Sequence, residues 1–310
     1  MNISEAALKL RAGELVAFPT ETVYGLGANA LDADAVAKIF ELKGRPRTTP
    51  LIVHVSSIEM AREIVTEWPP LAQQLAERWW PGPLTLVLPK SPAVPDLVTA
   101  GLPTVGVRIP DHPIALELIR AAGVPVAAPS ANLFTGLSPT TAAHVREAFG
   151  DQVGVLEGGP SRVGIESTVV SIEDGKLKLL RPGMISLGEL ERVAVEPGAS
   201  HPSPGMHERH YSPRTPLYLA EPPPSGQGAW VWFRTSGSAA RSVQMPSDPA
   251  GYAARLYDTL HQLDHAGLDW IAVELPPDTP DWSAIRDRLS RAAINTAPAE
   301  SPGDARHGRS

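Results

Sequence analysis

The sequence contains no cysteine, and this absence excludes several classes of chemistry at once. Without thiols the chain forms neither disulfide bonds nor thiolate metal sites, and it has no cysteine nucleophile. It also has no apolar run near the roughly 20 residues that a membrane-spanning helix needs, and its first 15 residues lack the apolar core of a secretory signal. We therefore expect a cytoplasmic protein with no membrane partner.

The chain also has fewer positively than negatively charged residues. It contains 27 Lys and Arg and 34 Asp and Glu residues, which gives a net charge of -7. Proteins that grip nucleic acid along their surface depend on neutralising phosphates, so this balance argues against such a protein and against a DNA partner. A small anionic ligand is compatible with the balance, since it needs only a few convergent Arg and Lys side chains.

Strand-like runs and helical stretches alternate through the first two thirds of the chain. Apolar runs such as 51–55 and 84–88 predict strands, and the stretches 33–42 and 114–122 predict helices. Hairpin-like spacing near 177–180 indicates a mixed rather than a purely parallel sheet. The fold class that this pattern predicts is α/β.

Periodicity disappears between Ala194 and Pro216, where prolines and glycines are typical of an irregular connector. Beyond it, strand-like runs surround a helix whose apolar residues share a face, which predicts a second, small α/β unit. The end of the chain is polar and contains Pro and Gly, so we expect it to be disordered. The predicted divisions are a catalytic domain over 1–195, a connector over 196–216, a small C-terminal α/β domain over 217–295 and a disordered tail over 296–310.

An early strand runs into hydroxyls, a carboxylate and two glycines in the segment 18–27. Gly25, Gly27 and Ala30 match a loose dinucleotide fingerprint, but polar and aromatic residues separate them from the strand and no helix opens at the glycines. The other interpretations are a plain glycine-rich turn and a turn that brings backbone amides close to a ligand.

The segment Lys43-Gly44-Arg45-Pro46 follows a predicted helix and also has two interpretations. Its cations can complement the negative end of the helix dipole. Alternatively, Gly44 and the nearby prolines fix a rigid loop from which Lys43 and Arg45 reach phosphate oxygens. No Walker A pattern occurs in the chain, so a nucleotide site here would be of another kind.

Polar residues also lie in or beside four later strands. Arg108 stands in an apolar strand, where it meets either a protein carboxylate or a ligand anion, because an unpaired buried charge is costly. Ser130 and Asn132 follow another strand and either bind a ligand or cap the next helix. Ser167 and Arg181 lie in segments that, taken alone, are more typical of turns than of a site.

Taken together, these segments resemble the YrdC-like threonylcarbamoyl-AMP synthase family, in its longer form with a C-terminal extension domain. The resemblance covers roughly residues 4 to 216 and rests on motifs that occur in order. These motifs are PTETVYGLG at 19–27, KGRP at 43–46, WWPGPLT at 79–85, PSAN at 129–132 and ESTVV at 166–170. The stretches SPGM at 203–206 and HYSP at 210–213 are similar to the connector of the longer form.

The resemblance implies a YrdC-like twisted mixed sheet with helices around a basic cleft, plus a small C-terminal Rossmann-like α/β domain. It implies a nucleotidyltransferase that converts L-threonine, bicarbonate and magnesium-bound ATP to threonylcarbamoyl-AMP and pyrophosphate. The product would pass to the threonylcarbamoyl-transferase machinery that modifies tRNAs reading ANN codons. A double-stranded-RNA-binding module is the alternative from another class, because the cleft of the family is concave and basic.

The same resemblance implies a role for individual residues. Lys43 and Arg45 would be the catalytic cations, with no protein ligand assigned to the metal. The threonine side would be formed by Thr22, His54, Arg108, Ala128 and Ser167. The nucleotide side would comprise Lys43, Arg45, Thr49, Thr104, Ser130, Asn132, Ser138, Arg181 and Tyr211. The family usually has asparagine where Thr49 stands, and Tyr211 would belong to a connector that covers the site as a lid.

Overall fold

The computed structural model describes residues 1–173, 175–191, 210–219 and 226–294. Connector residues 196–209 and the predicted tail over 296–310 lie outside these ranges, so the predicted boundaries stay predictions. In the described residues, no helix is both long and apolar enough to cross a bilayer.

Ten α-helices and thirteen β-strands form in the described ranges. The helices are α1 (Ile3–Arg11), α2 (Ala33–Lys43), α3 (Ile58–Glu63), α4 (Pro70–Trp79), α5 (Asp96–Thr99), α6 (Pro113–Ala122), α7 (Ala142–Phe149), α8 (Leu187–Glu191), α9 (Pro249–Asp264) and α10 (Ser283–Ala292). The strands are β1 (Val16–Phe18), β2 (Gly25–Asn29), β3 (Ile52–His54), β4 (Leu84–Pro89), β5 (Thr104–Arg108), β6 (Val126–Ala127), β7 (Gly154–Val155), β8 (Thr168–Glu173), β9 (Lys176–Arg181), β10 (Leu217–Leu219), β11 (Gly228–Trp232), β12 (Arg241–Gln244) and β13 (Trp270–Val273).

The first sheet has nine strands in the order β7-β1-β2-β6-β3-β5-β4-β8-β9. It is mixed, as predicted: β3 runs parallel to β5, whereas β4 runs antiparallel to β5 and β8 antiparallel to β9. The register places His54 opposite Arg108, and Val53 opposite Ala127 on the other side of β3. The ends of three strands therefore bring His54, Arg108 and Ala128 to one place.

The two glycines of the 18–27 segment lie in a strand rather than in a turn. Gly25 and Gly27 belong to β2, which pairs antiparallel with β1. A Cβ at Gly27 would stand 2.8 Å from the ring of Phe18 and equally close to the side chain of Val126, so close packing requires glycine here. Because a dinucleotide fingerprint needs glycines at a strand-to-helix turn, this arrangement does not form one.

Helix α2 delivers the KGRP segment to the sheet. Asp32 caps the N-terminus of this helix, because its side chain accepts hydrogen bonds from the backbone amides of Asp34 and Ala35. The helix ends at Gly44, which has a left-handed backbone conformation with φ of 62°. Lys43 is consequently buried in the last helical turn, and Arg45 starts the loop that leads to β3.

The second sheet has four parallel strands in the order β10-β13-β11-β12, so the predicted small α/β unit is confirmed. The apolar face predicted for α9 is buried along its length. The apolar cluster of this unit also includes Val23, Leu137 and Ile165 from the first sheet's part of the chain. The two units therefore share one packed interior.

We predict that Gly164→Ala destabilises the protein through the contact between the two units. Gly164 has a φ of +81°, and a Cβ there would stand 2.4 Å from the carbonyl oxygen of Ala253 in α9. Gly159 is a matched control, because its φ is +74° and a Cβ would meet nothing within 4 Å. Both substitutions cost about 1 kcal/mol for the left-handed conformation, and Gly164→Ala should cost at least about 1 kcal/mol more because of the overlap. Equal urea midpoints for the two variants would contradict this packing.

Candidate active site

A cavity lies where the ends of β3 and β5 meet the loops that precede β2 and β8, and it encloses about 560 Å³ when the space that is open to solvent is included. Buried polar side chains and backbone from segments between Thr20 and Tyr211 form its wall. Nine of the predicted substrate residues lie in this wall, namely Thr22, Arg45, His54, Arg108, Ala128, Ser130, Ser167, Arg181 and Tyr211.

Arg108 meets a protein carboxylate while it also lines the cavity. Its Nη2 lies 2.6 Å from Oε1 of Glu21, and both side chains are almost fully buried. Its Nη1 donates to the hydroxyl of Thr22 at 3.0 Å, and its Nε donates to the carbonyl oxygen of Gly82 at 3.1 Å. The guanidinium is therefore held from three directions, with the hydroxyl of Thr22 fixed beside it.

His54 is a neutral group in the same part of the wall. Burial, and then the positive charge of Arg108, lower the pKa of His54 from 6.5 to about 3. Its ring also packs edge-on against Phe18, with 5.9 Å between ring centres. A neutral imidazole carries one donor and one acceptor, which suits a hydroxyl or amine group of a ligand.

Ser167 joins this neutral part of the wall to the cationic part. Its hydroxyl lies 2.8 Å from that of Thr85. Its carbonyl oxygen accepts hydrogen bonds from Nε and Nη2 of Arg181 at 3.1 and 2.9 Å. The guanidinium at the end of β9 is thereby anchored against the start of β8.

Buried positive charge exceeds buried negative charge in the described residues. The only buried carboxylates among them are Glu21 and Glu166. The buried cations around the cavity are Lys43, Arg45, Arg108, Arg181 and Arg288. Because buried charge is costly unless it is compensated, this excess favours an anionic ligand.

Arg45 shows the effect of this excess of positive charge most directly. Burial lowers the pKa of Arg45 to about 10. Tyr211 partly opposes this shift, and the positive charge of Arg181 adds to it more weakly. Its Nη2 donates to the carbonyl oxygen of Pro50 at 3.2 Å, whereas its Nε is buried and has no hydrogen-bond partner among the residues that the structure describes. Since an unpaired buried donor is costly, Arg45 retains a hydrogen bond to offer to a ligand.

Lys43 lies behind the wall rather than in it. Its Nζ donates to the carbonyl oxygens of Ser130, at 2.6 Å, and of Asn132. Burial and the neighbouring Arg45 lower the pKa of Lys43 well below its usual value. Lys43 therefore holds the PSAN loop in place, and its contact with phosphates stays a prediction.

Four other predicted nucleotide residues also lie outside the wall. The amide of Asn132 donates within its own loop, to the carbonyl oxygen of Gly136 at 2.9 Å. Ser138 is fully buried and donates to Glu166, and Thr49 is buried in the loop before β3. Thr104 starts β5 at the opposite end from Arg108, which is about 13 Å away at the usual rise of a strand.

Sequence reasoning missed two ionisable wall residues, Glu166 and His210, although each directly precedes a predicted site residue. Strand-like alternation would send such neighbours to opposite faces. Tyr211 instead has a left-handed backbone conformation, with φ of 63°, in an irregular segment where both side chains reach the cavity. Adjacency to a motif residue was the available signal.

Known proteins share both parts of this architecture. The Sua5–YciO–YrdC family model, described as telomere recombination, matches residues 9–183. A second model, described as the C-terminal domain of threonylcarbamoyl-AMP synthase, matches residues 185–294. The chain belongs to the YrdC-like threonylcarbamoyl-AMP synthase family, in its two-domain form.

Relatives agree with this assignment over almost the whole chain. Threonylcarbamoyl-AMP synthases of Bacillus subtilis and Pyrococcus abyssi are each 43% identical to it, over 94% and 93% of this chain and 92% and 93% of their own lengths. The crystal structure of P. abyssi Sua5 complexed with L-threonine matches with a TM-score of 0.88 and 40% identity, covering 94% of each chain. The chain is therefore an enzyme of the threonylcarbamoyl-AMP synthase family, and the alternative of a double-stranded-RNA-binding module is disfavoured.

We predict that His54 makes the folded state sensitive to acid. The unfolded chain takes up a proton near the ordinary pKa of 6.5, whereas the folded chain resists it down to about pH 3, so stability falls as the pH drops below 6.5. Between pH 7 and pH 5 the wild type should lose about 2 kcal/mol more unfolding free energy than His54→Gln. Urea unfolding of both proteins at the two pH values measures this difference. Equal losses would show that folding does not lower the pKa of His54.

Proposed function

We propose that this enzyme is an L-threonylcarbamoyladenylate synthase, a nucleotidyltransferase that uses L-threonine, bicarbonate and ATP. The observation that best supports this function is that the wall of the cavity has two different parts. One part offers neutral groups and an arginine already balanced by Glu21, which suits a small amino acid. The other part offers an excess of buried cations, which suits a polyphosphate.

The threonine side is proposed around Arg108. Its guanidinium would bind the substrate carboxylate, since a charge-assisted hydrogen bond is strong and arginine presents several donors. Thr22 and Ser167 would bind the substrate hydroxyl, and neutral His54 its hydroxyl or amine. The L-threonine complex of the P. abyssi relative supports a site for this amino acid.

The phosphate side is proposed around Arg45 and Arg181. A carbamate oxygen formed from threonine and bicarbonate would attack the α-phosphorus of ATP, while the bond from that phosphorus to the oxygen of the departing pyrophosphate breaks. The leaving pyrophosphate gains negative charge, which nearby guanidinium groups stabilise. Such a reaction depends on positioning and cations, and it requires no nucleophilic side chain.

We propose that Mg²⁺ enters the site bound to the phosphates of ATP. Among the described residues, no group of three His, Asp or Glu side chains could hold a metal ion. Glu166, the carboxylate of the cavity wall, is already bonded to Ser138 and Arg288. Mg²⁺ commonly binds through substrate phosphates with few protein ligands, and this donor set fits that mode.

The product is a mixed anhydride that water would hydrolyse, so the site has to exclude water until release. Tyr211, from the end of the connector, is buried and lines the cavity, which supports a role in excluding water. We propose that the product passes to the cytoplasmic threonylcarbamoyl-transferase machinery for tRNAs that read ANN codons.

The direct test supplies the purified protein with ATP, magnesium, labelled bicarbonate and L-threonine. We expect pyrophosphate and labelled threonylcarbamoyl-AMP in equal amounts, and neither when threonine or bicarbonate is omitted. The omission of each substrate in turn is the internal control. Pyrophosphate release that does not depend on threonine would refute the proposed reaction.

Arg108→Gln should weaken the use of threonine more than the use of ATP, because one carboxylate loses its charged partner. Loss of a charge-assisted hydrogen bond corresponds to a KM for threonine that rises roughly ten- to hundredfold, while the KM for ATP should change less than about threefold. Arg162→Gln is the control, since this arginine is exposed and pairs with Asp111 at the surface. Equal increases of both KM values would show that Arg108 does not belong to the threonine side.

A further inference from the structure

Glu166 is a buried point at which the two domains meet through charge. It lies in the cavity wall directly before Ser167, and 8% of its surface is exposed. Its Oε1 accepts a hydrogen bond from Ser138 at 2.5 Å, and its Oε2 accepts one from Nε of Arg288 at 2.7 Å. The hydroxyl of Tyr257 lies 3.2 Å from Oε2. Ser138 belongs to the first domain, whereas Tyr257 and Arg288 come from α9 and α10 of the second.

Arg288 is fixed as tightly as the carboxylate that it binds. Only 1% of its surface is exposed, although it shares a helix face with the buried side chains of Ile285, Leu289 and Ala292. Its Nη1 donates to Asp287 at 2.6 Å, and its Nη2 donates across the domain boundary to the carbonyl oxygen of Pro182 at 3.1 Å. Its guanidinium also lies 5.2 Å from the ring centre of Tyr211. Arg288 thus contacts the first domain, the end of the connector and its own helix.

A carboxylate in this wall poses an electrostatic problem for a nucleotide site. Burial alone would raise the pKa of Glu166, but the charges of Arg288 and Arg181 lower it below its usual value, so Glu166 is an anion. An anion beside a triphosphate repels it strongly where water is excluded. Arg288 removes most of that repulsion, because a buried pair presents little net charge to its surroundings.

We propose that Arg288 is a positioning residue for the nucleotide, which cancels the charge of Glu166 and holds this carboxylate against Ser138 so that a triphosphate can bind beside it. This inference rests on the proposed function and concerns its ATP-binding step. The C-terminal domain thereby completes the nucleotide side through an ion pair.

A purely structural ion pair has different consequences from a charge that tunes the nucleotide site. If the pair only held the domains together, removing either partner would impair both substrates alike. If Arg288 acts on the nucleotide, Arg288→Gln leaves a bare anion in the wall and Glu166→Gln leaves a bare cation. The two single variants should then change ATP affinity in opposite directions.

The experiment measures ATP affinity by equilibrium dialysis, and both KM values, for full-length Arg288→Gln, Glu166→Gln and the double variant. We expect Arg288→Gln to weaken ATP binding by about tenfold or more, which corresponds to about 1.4 kcal/mol. Glu166→Gln should bind ATP as tightly as the wild type or more tightly. The double variant should return to within about threefold of the wild type, since replacing both partners leaves no buried charge uncompensated.

Arg286→Gln is the matched control, because this arginine lies on the same helix but contacts Pro276 and Asp278 within its own domain. It should leave ATP affinity unchanged. Weaker ATP binding in Glu166→Gln, or no recovery in the double variant, would overturn the inference. If Arg288→Gln does not fold, Glu166→Gln and the double variant still decide it.

The synthase reaction and the role of Arg288 can be refuted independently of each other. An active wild type whose ATP affinity is the same in Arg288→Gln overturns the role of Arg288 and leaves the synthase reaction standing. Conversely, a wild type that binds ATP but releases no threonine-dependent pyrophosphate refutes the synthase reaction, while the dialysis series still tests Arg288.

Discussion

The architecture of the site depends on burying several cations with few carboxylates to balance them. Much of the compensation comes from backbone carbonyl oxygens. Lys43 donates to two of them in the PSAN loop, Arg181 to that of Ser167, and Arg108 to that of Gly82. Each such hydrogen bond fixes a loop as well as a charge, because a carbonyl oxygen accepts preferentially near the plane of its peptide group and so restricts where the loop and the cation lie. The same contacts therefore solvate the cations and shape the cavity.

Strand pairing decides which polar groups meet in the cavity. His54 and Arg108 are far apart in the chain, but the parallel pairing of β3 with β5 makes them direct neighbours. Burial, and then the charge of Arg108, keep the histidine neutral, so the wall offers a neutral hydrogen-bonding group next to a charged one. This part of the wall thus follows from register, which places the two residues at the same level of the sheet.

Local patterns predicted the elements well where burial is regular. The alternation of strands and helices, the second α/β unit and the apolar face of α9 all follow from periodicity, and the family resemblance located nine residues of the wall. The strand character of Gly25 and Gly27 could not be predicted, because it depends on Phe18 packing across the glycines from the neighbouring strand. The position of Lys43 behind the wall also depends on a distant loop, whose carbonyl oxygens it binds.

The position of Arg288 is unusual in the sequence, but its own helix cannot explain it. An arginine on a helix face with Ile285, Leu289 and Ala292 is out of place, because burying its charge is costly unless a partner exists. That partner, Glu166, lies 122 positions earlier in the chain and in the other domain, so the pattern of the helix alone cannot identify it. The misplaced charge marks a position at which the second domain recognises the first. A residue that breaks a local rule and is fully satisfied in the folded protein thus points to a long-range constraint, and here the constraint lies at the edge of the cavity.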